Sequence, residues 1–364
     1  MLAPLYGEPS DCYIGNIDYF CAFFANMKTT PLRAAILAID GCYASSLAGF
    51  GDVLHVTNAH LSRQQHKTGS AMSRPFSWEF VSYQGKPVTA CNGLTINSTA
   101  PLSSDPYDII FIPGLYYTGH DGFLRSLDKA RPQREWLEMQ WRKGAVVAAN
   151  CTGTFLLAET RLLDGRPATT TWWLEKLFRE RNPSVDLQLR SMVTEQDRLW
   201  CAGASASYLL QAVRMVEHFC GANTATLTAK TMLIDTSQTT QLPYLPLQME
   251  SVHSDTMVSK AQHWLLKHFA EDVSMPQLAD ALSVSVRTLI RHFNDVLGTT
   301  PLAYLQNLRI EISMKLLESG GLSIEDIANQ VGYQNASSFT RLFRQQVGVT
   351  PAAYRNRFAS IARG

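Results

Sequence analysis

The sequence has no apolar run long enough to cross a membrane, so we expect a chain that does not span one. Its seven cysteines include no CxxC pair and no Cys/His spacing suited to zinc, and no metal site is expected. Because they are scattered and odd in number, we expect reduced thiols. The first residues lack a basic segment, an apolar segment and a small-residue cleavage site, which predicts a cytoplasmic protein.

Neither sign of charge dominates the composition. The 364 residues include 32 Lys and Arg against 31 Asp and Glu, so net charge alone does not predict a nucleic-acid partner. The content of 46% hydrophobic and 17% charged residues is typical of a folded chain, and the length allows two domains. After Asp326 there is no carboxylate, which leaves a local basic patch. Its arginines are Arg341, Arg344, Arg355, Arg357 and Arg363.

An internal repeat occupies the last hundred residues. Residues 274–279 (SMPQLA) open one unit, and residues 323–328 (SIEDIA) open a second about fifty residues later. The similarity continues as far as residues 300–304 (TPLAY) and 350–354 (TPAAY). A repeat of this length predicts two copies of one structural unit.

Each copy reads as a short helix, a tight turn and a second helix, over about 274–298 and about 323–348. Apolar residues recur at helical spacing in both segments of each copy. Ser285 and Asn335 are the predicted N-caps of the two second helices, and Gly298 is predicted to end the first of them. The pattern predicts two helix-turn-helix units.

The second helices, 285–297 and 335–347, are expected to present a polar face opposite the apolar stripe. Its residues are Arg287, Thr288, Arg291, Ser337, Ser338, Arg341 and Arg344. Arginine bonds bidentately to guanine, and Ser or Thr adapts to either base edge, whereas other arginines hold phosphates. We therefore predict that both helices bind the DNA major groove and that Arg355 adds a phosphate contact. A merely solvated face is the alternative for one helix alone; the duplication favours DNA binding.

Residues from about 255 to 360 resemble the C-terminal DNA-binding domain of the AraC family of transcription regulators. The similarity to the family's final signature is carried by Gly332-Tyr333, Phe339, Arg341-Leu342-Phe343, Gly348-Val349-Thr350-Pro351 and Tyr354-Arg355. The resemblance implies an all-α domain in which a linking helix joins two helix-turn-helix units. It also implies double-stranded promoter or operator DNA as a partner, with RNA polymerase as a further candidate.

The N-terminal half alternates between strand and helix patterns. Apolar runs at 33–39 and 108–112 are typical of buried strands in a parallel sheet, and 47–54 reads as a helix after the first. Residues 145–158 predict a strand, a sharp turn at Cys151 and a helix. That arrangement is typical of a nucleophile elbow, which exposes a side chain beside a helix N-terminus. A buried, inert cysteine is the alternative.

The order of these elements resembles the class I glutamine-amidotransferase-like fold of PfpI-type proteins, a flavodoxin-like, doubly wound parallel α/β sheet. Residues 32–240 are similar to the sensor half of the AraC-family subgroup that carries this domain. The resemblance implies a small-molecule effector at the carboxyl ends of the strands. The candidate pocket residues are Asp40, Ser46, Pro113, Gly114, Cys151, Thr152 and Thr171. Amides at the elbow helix would favour an effector that bears a carboxylate.

Departures from the family pattern bear on the chemistry. The resemblance implies that enzymes of this fold pair the elbow cysteine with a histidine about where Thr171 stands, and some use an acid near Ser46. Without a base or acid partner, Cys151 is a poor nucleophile, so we expect no catalytic residues and no enzyme. The alternative function is a PfpI-type cysteine amidase or protease with an accessory DNA-binding module. Redox sensing through Cys151 is a third; the sequence shows no nearby resolving cysteine.

These patterns predict an N-terminal extension (1–31), a sensor domain (32–240), a polar, proline-bearing linker (241–254) and a DNA-binding domain (255–364). We expect no cofactor. Because linked helix-turn-helix modules gain affinity, we expect a homodimer formed through the sensor half.

Overall fold

The computed structural model describes residues 30–68, 73–244 and 255–359. Most of the predicted N-terminal extension and most of the predicted linker therefore lie outside the described residues. The chain divides into an N-terminal unit and a C-terminal unit. The N-terminal unit comprises Met1–Thr171, Lys176–Leu187 and Thr194–Thr236, and the C-terminal unit comprises Trp172–Glu175, Gln188–Val193 and Ser237–Gly364. Within the described ranges, no helix is long and apolar enough to cross a membrane.

A seven-stranded sheet forms the centre of the N-terminal unit. The strands in chain order are β1 (Leu32–Leu37), β2 (Phe76–Ser82), β3 (Val88–Thr89), β4 (Thr95–Ile96), β5 (Ala100–Pro101), β6 (Ile109–Ile112), β7 (Val146–Asn150), β8 (Pro167–Ala168), β9 (Asp186–Leu187), β10 (Val193–Gln196) and β11 (Leu199–Ala202). The main sheet has the order β10-β11-β7-β6-β1-β2-β5, and β3-β4 and β8-β9 form two small sheets. The five central strands, from β2 through β1, β6 and β7 to β11, pair in parallel.

The order of these five strands is 2-1-3-4-5 in chain sequence, which is the flavodoxin-like, doubly wound arrangement. β6 and β7 are buried along their whole length because helices cover both faces of such a sheet. The predicted fold class of this half is therefore confirmed. The helices of the unit are α1 (Ala44–Thr68), α2 (His120–Lys129), α3 (Arg131–Arg142), α4 (Gly153–Ala158), α5 (Glu175–Arg181), α6 (Tyr208–Cys220) and α7 (Ala222–Thr231).

The sequence patterns located the main strands but not every helix. The strands expected at 33–39 and 108–112 and the strand-turn-helix at 145–158 are confirmed. The helix expected at 47–54 is longer, because α1 begins at Ala44 and continues to Thr68. α2 was not predicted. It has only two buried residues, Phe123 and Leu127, so few apolar positions mark it in the sequence.

The C-terminal unit is built from helices, as predicted. They are α8 (Thr256–His268), α9 (Met275–Ala281), α10 (Val286–Leu297), α11 (Pro301–Ser319), α12 (Ile324–Gln330), α13 (Ala336–Val347) and α14 (Pro351–Phe358). One core cluster holds Leu278, Leu289 and Phe293 of the first helix-turn-helix, and a second holds Phe339 and Phe343 of the second. α11 contributes to both, which makes it the linking helix.

The predicted caps of the second helices are confirmed. The Ser285 side chain accepts a hydrogen bond from the Thr288 amide, and Asn335 accepts from the amides of Ser337 and Ser338. Gly298 ends α10 with a left-handed φ of 63°. Capping interactions of this kind involve residues close together in the sequence and fix where each helix starts and ends. The sequence therefore predicts the helix ends well.

The two copies differ by one residue in the turn. The N-caps Ser274 and Ser323 of α9 and α12 are 49 positions apart (323 − 274), whereas the N-caps Ser285 and Asn335 are 50 apart (335 − 285). The turn of the second helix-turn-helix is therefore one residue longer.

Candidate DNA-binding surface and effector site

On α10, the polar face predicted from the sequence is accessible. Arg287 and Arg291 are exposed and lie one turn apart, while Leu289 and Phe293 of the same helix are fully buried. Thr288 is half-buried, and its hydroxyl is 2.8 Å from the Ser285 hydroxyl. Two arginines therefore project from a helix whose opposite side is anchored in the core.

α13 repeats this arrangement with different side chains. Ser337, Ser338, Arg341 and Arg344 are all exposed. Phe339 and Phe343 anchor the opposite side. In both helices an exposed arginine lies two residues before a buried phenylalanine. Arg291 precedes Phe293 in α10, and Arg341 precedes Phe343 in α13.

α10 and α13 differ in charge toward their C-terminal ends. α10 carries Asn294 and Asp295 there, whereas α13 carries Arg344 and Gln345, and all four are exposed. α13 therefore presents two arginines and no carboxylate, whereas α10 presents two arginines and one carboxylate, Asp295. The sequence analysis did not select Asn294, Asp295 or Gln345; comparison of the two repeats at matching positions would have found them.

Arg355 lies in a different setting from the other predicted DNA-contacting arginines. It belongs to α14 and is half-buried. Its Nε and Nη2 atoms are shielded from solvent and have no hydrogen-bond partner within the described part of the chain. A phosphate contact from this side chain would have to use its other terminal nitrogen.

In the N-terminal unit, the sharp turn between β7 and α4 is present at Cys151. Its φ of +55° is in the left-handed region that non-glycine residues rarely adopt, as expected of an elbow. The Cys151 amide donates to the carbonyl oxygen of Ala202 at 2.9 Å. A Cβ on Gly153 would overlap the carbonyl oxygen of Pro113, so only glycine allows the elbow to pack on the loop after β6.

Hydrogen bonds from threonine hydroxyls fix the elbow. The Thr152 hydroxyl donates to the Leu115 carbonyl oxygen and accepts from the Leu115 amide, each at 2.6 Å. The Thr170 hydroxyl donates to the carbonyl oxygen of Cys151 at 2.7 Å. The elbow is thus tied both to the loop after β6 and to the segment after β8.

Burial controls the chemistry of the Cys151 thiol. Its side chain is 1% exposed, and this desolvation raises its pKa to about 11. The amide and hydroxyl of Thr152 and the hydroxyl of Thr171 lie against the sulfur and lower its pKa, but they do not offset burial. At neutral pH the sulfur is therefore a thiol, not a thiolate.

Thr171 has an unusual environment. It is completely buried beside the Cys151 sulfur, and its hydroxyl has no hydrogen-bond partner of ordinary geometry among the residues the structure describes. Buried hydroxyls almost always have such a partner, because desolvation without one costs about 1–3 kcal/mol.

The structure brings most, but not all, of the predicted pocket residues together. Cys151, Thr152 and Thr171 are in contact, and a Cβ on Gly114 would lie 3.2 Å from the Cys151 Cβ. Pro113 precedes Gly114 in the same loop.

Asp40 and Ser46 have other roles. The Asp40 carboxylate is exposed and accepts from the Thr89 amide at 2.8 Å. The Ser46 hydroxyl is buried and donates to the Tyr43 carbonyl oxygen at 2.9 Å. Both residues brace the segment after β1.

Tyr43 and Tyr116 are site residues that the sequence analysis missed. The Tyr43 amide donates to the Gly114 carbonyl oxygen at 2.9 Å, and its ring would be 3.2 Å from a Cβ on Gly114. The two tyrosine rings are 6.3 Å apart in an edge-on arrangement. Both residues follow central strands at their carboxyl ends, which is the signal that could have identified them.

The short elbow helix weakens the case for a carboxylate-bearing effector. α4 has only six residues. Its first amides are used inside the elbow, where Thr154 donates to the Cys151 carbonyl and Phe155 to that of Thr152. Among the described residues, no group of three or more His, Cys, Asp or Glu side chains could hold a metal ion.

Two family models match the chain. The model described as a helix-turn-helix domain matches residues 278–357, and that of the DJ-1/PfpI family matches residues 67–214. The DJ-1/PfpI match lies largely in the N-terminal unit, and the helix-turn-helix match lies within the C-terminal unit.

Among curated proteins, the chain is similar to regulators of Pseudomonas aeruginosa. The HTH-type transcriptional regulator CdhR is 26% identical over 282 residues, which cover 76% of this chain and 81% of CdhR. The HTH-type transcriptional regulator GbdR is 23% identical over 323 residues, 88% of this chain and 83% of GbdR. A solved structure of a putative transcriptional regulator protein from Vibrio parahaemolyticus is 22% identical, with a TM-score of 0.48, and covers 57% of this chain and 100% of that one.

Proposed function

The chain is an AraC-family transcription regulator with a DJ-1/PfpI domain ahead of its helix-turn-helix domain, and we propose that a small molecule bound beside Cys151 controls its binding to DNA. Both α10 and α13 bind DNA in this proposal. The exposed arginines at matching positions, Arg291 and Arg341, would contact bases, and Arg344 would contact phosphate.

One observation carries the effector site. The Thr171 hydroxyl is buried next to the Cys151 sulfur without a partner of ordinary geometry in the described residues, and a ligand group that accepts or donates a hydrogen bond would satisfy it. Gly114 packs closely against this site, since a Cβ there would lie 3.2 Å from both the Cys151 Cβ and the Tyr43 ring. We infer that a small, polar effector binds here. It is held by direct hydrogen bonds to side chains and not by the amides of α4.

The test combines ligand binding with DNA binding. A panel of small metabolites is first tested for an increase in the thermal unfolding temperature of the full chain, since a ligand that binds only the folded state stabilises it. Each hit is then added to a fluorescence-anisotropy titration of labelled promoter DNA. We expect at least one ligand to change both the unfolding temperature and the DNA affinity.

The variant Thr171→Val locates the site. It replaces a hydroxyl that has no partner of ordinary geometry in the described residues with a methyl group of the same shape, so the ligand-free protein should be as stable as the wild type or more stable by up to about 1 kcal/mol, while the ligand response is lost. Thr57→Val is the matched control, because the Thr57 hydroxyl is buried in α1 and bonded to Val53 and Thr228. It should lower stability and leave the response intact. A normal response in Thr171→Val would place the effector elsewhere.

The geometry that favours the alternative function is the strained elbow itself. However, burial raises the pKa of Cys151 to about 11, and the described groups that act on its sulfur are the threonines Thr152 and Thr171, with no histidine or carboxylate. We infer that the protein is not an amidase or protease. Cys151-dependent hydrolysis of fluorogenic amide or peptide substrates, abolished in Cys151→Ser, would overturn this inference.

We propose the domain limits 32–240 and 255–364, a homodimer formed through the sensor half, RNA polymerase as a further partner, and a cytoplasmic location. Sedimentation of the full chain with and without ligand tests the dimer, because a strict monomer in both states would contradict it.

A further inference from the structure

The linking helix α11 joins the two helix-turn-helix units through shared packing. Ile312 of α11 packs against the cores of both units, and so does Phe269, which follows the end of α8. The end of α8 is therefore close to the second helix-turn-helix unit, although α8 packs in the same core cluster as the first helix-turn-helix unit. One charged side chain of α11, Arg309, lies at this junction.

Arg309 bonds to the first unit through the chain that leaves α8. Its Nε donates to the carbonyl oxygen of Phe269 and its Nη2 to that of Glu271, each at 2.7 Å. Both acceptors lie just after the C-terminal end of α8, where helical carbonyls lack partners within the helix. A guanidinium suits this place because it is cationic and presents donors in a fixed fork.

The same guanidinium contacts the turn of the second unit. Its Cζ lies 5.3 Å from the centre of the Tyr333 ring, within the range of a cation–π contact. A Cβ on Gly332 would lie 2.9 Å from both Arg309 Nη2 and the Ala270 carbonyl oxygen, closer than real Cβ contacts allow. The turn before α13 is thus pressed against the end of α8, with Arg309 at the contact.

We propose that Arg309 is a positioning residue that fixes α10 and α13 relative to each other, and so sets the spacing between the two DNA segments that one chain reads. The inference rests on the proposed function, in which both helices enter the groove. A fixed separation makes the second DNA contact intramolecular at one spacing, which raises affinity for that spacing alone. Arg309 contacts both the Phe269–Glu271 segment and Tyr333. Without it, α10 and α13 are no longer held at one separation, and the protein binds DNA in which the two segments are spaced differently.

The experiment uses the full chain and DNA selected by the wild type from a duplex library with a random core. From the selected site we prepare duplexes with one base pair added or removed between the two protected segments, and duplexes with either segment scrambled. Binding is measured for the wild type, Arg309→Lys and Arg309→Ala. Lys315→Ala is the control, because Lys315 is an exposed cation on the same helix.

We expect the wild type and Lys315→Ala to bind duplexes with altered spacing about 10-fold or more weakly than the selected duplex. This difference is a small part of the affinity that two linked DNA-binding modules can gain. Arg309→Lys keeps the charge but not the planar fork, so it should lose affinity for the selected site and show less than about 3-fold discrimination between spacings. Affinity for the duplexes with one scrambled segment should stay at the wild-type value.

Equal losses on every duplex, with the wild-type preference for spacing retained, would overturn the proposal, since they would show that Arg309 only supports folding. Far-UV circular dichroism identifies variants that fail to fold. If Arg309→Ala is one of them, Arg309→Lys and Gly332→Ala still test the proposal, because a methyl group on Gly332 disturbs the same contact from the second unit. Protection of a single DNA segment by the wild type would instead refute the two-helix binding mode of the proposed function and, with it, this inference.

Discussion

Ser283 and Gly332 occupy the same position in the turns of the two helix-turn-helix units, and both have a left-handed backbone. Their φ angles are +55° and +87°. Glycine adopts this conformation without strain, whereas a residue with a Cβ is disfavoured there by about 1 kcal/mol or more. Ser283 is in the first unit, where the turn is one residue shorter.

We predict opposite effects of exchanging these residues. Ser283→Gly should raise the free energy of unfolding by about 0.5 kcal/mol, because relief of backbone strain exceeds the added entropy of the unfolded chain. Gly332→Ser should lower it by roughly 1–3 kcal/mol, because its Cβ has no room beside Ala270. Denaturant unfolding followed by circular dichroism measures both. If both variants changed the free energy of unfolding in the same direction, the left-handed backbone would not be what controls stability at these two positions.

The arginines of α10 and α13 should differ in how they bind DNA. Arg291→Ala and Arg341→Ala should each cost roughly 1–3 kcal/mol at the specific site and relax the preference at one or two base pairs. Arg344→Ala should weaken binding to all sequences and lower the salt slope by about one. A salt-titrated binding assay on selected and scrambled DNA distinguishes the two classes. If Arg291→Ala weakened binding to both DNAs equally, α10 would contact the DNA backbone without reading bases.

Cys151 should resist alkylation although it stands at an elbow. With a pKa of about 11, about one molecule in a thousand carries the thiolate at pH 8, and burial restricts access further. Iodoacetamide should therefore modify the exposed Cys91 before Cys151, as read by mass spectrometry of tryptic peptides. The Cys151 rate should rise about tenfold per pH unit from pH 8 toward pH 10. Labelling of Cys151 as fast as Cys91 at pH 7 would indicate an activated thiolate instead.

The stability of the core cluster that α8 shares with the first helix-turn-helix should fall in acid because of Asp255. The Val258 amide and His292 both hydrogen-bond its carboxylate, and they hold its pKa below the ordinary value of 3.8. A lowered pKa in the folded state stabilises the protein above pH 3.8, and this contribution is lost as the pH falls through the folded-state pKa. We expect Asp255→Asn, which keeps an N-cap, to unfold at a lower temperature than the wild type at pH 6. The difference should shrink toward pH 3, and a difference that does not depend on pH would contradict the carboxylate's role.

Much of this architecture follows from short-range signals. Ser285 and Asn335 start their helices because a side chain bonds an amide two or three residues later, and β6 and β7 are continuous apolar runs because both their faces are covered. The repeat then identifies which positions of α10 and α13 are equivalent. These features depend on neighbours in the chain, so the sequence is enough to predict them.

The two helix-turn-helix units, the parallel sheet and the turn at Cys151 can be predicted from the amino-acid sequence, because local hydrogen bonding and the period of buried residues specify them. How each side chain is solvated and what it contacts depend on the three-dimensional fold. The fold buries Cys151 and raises its pKa, and it leaves the Thr171 hydroxyl beside the Cys151 sulfur without a partner of ordinary geometry among the described residues. It also brings Arg309 to Phe269 and Glu271, 40 and 38 positions away. Desolvation and long-range contact depend on which distant segments cover a residue, and no local pattern in the chain encodes that.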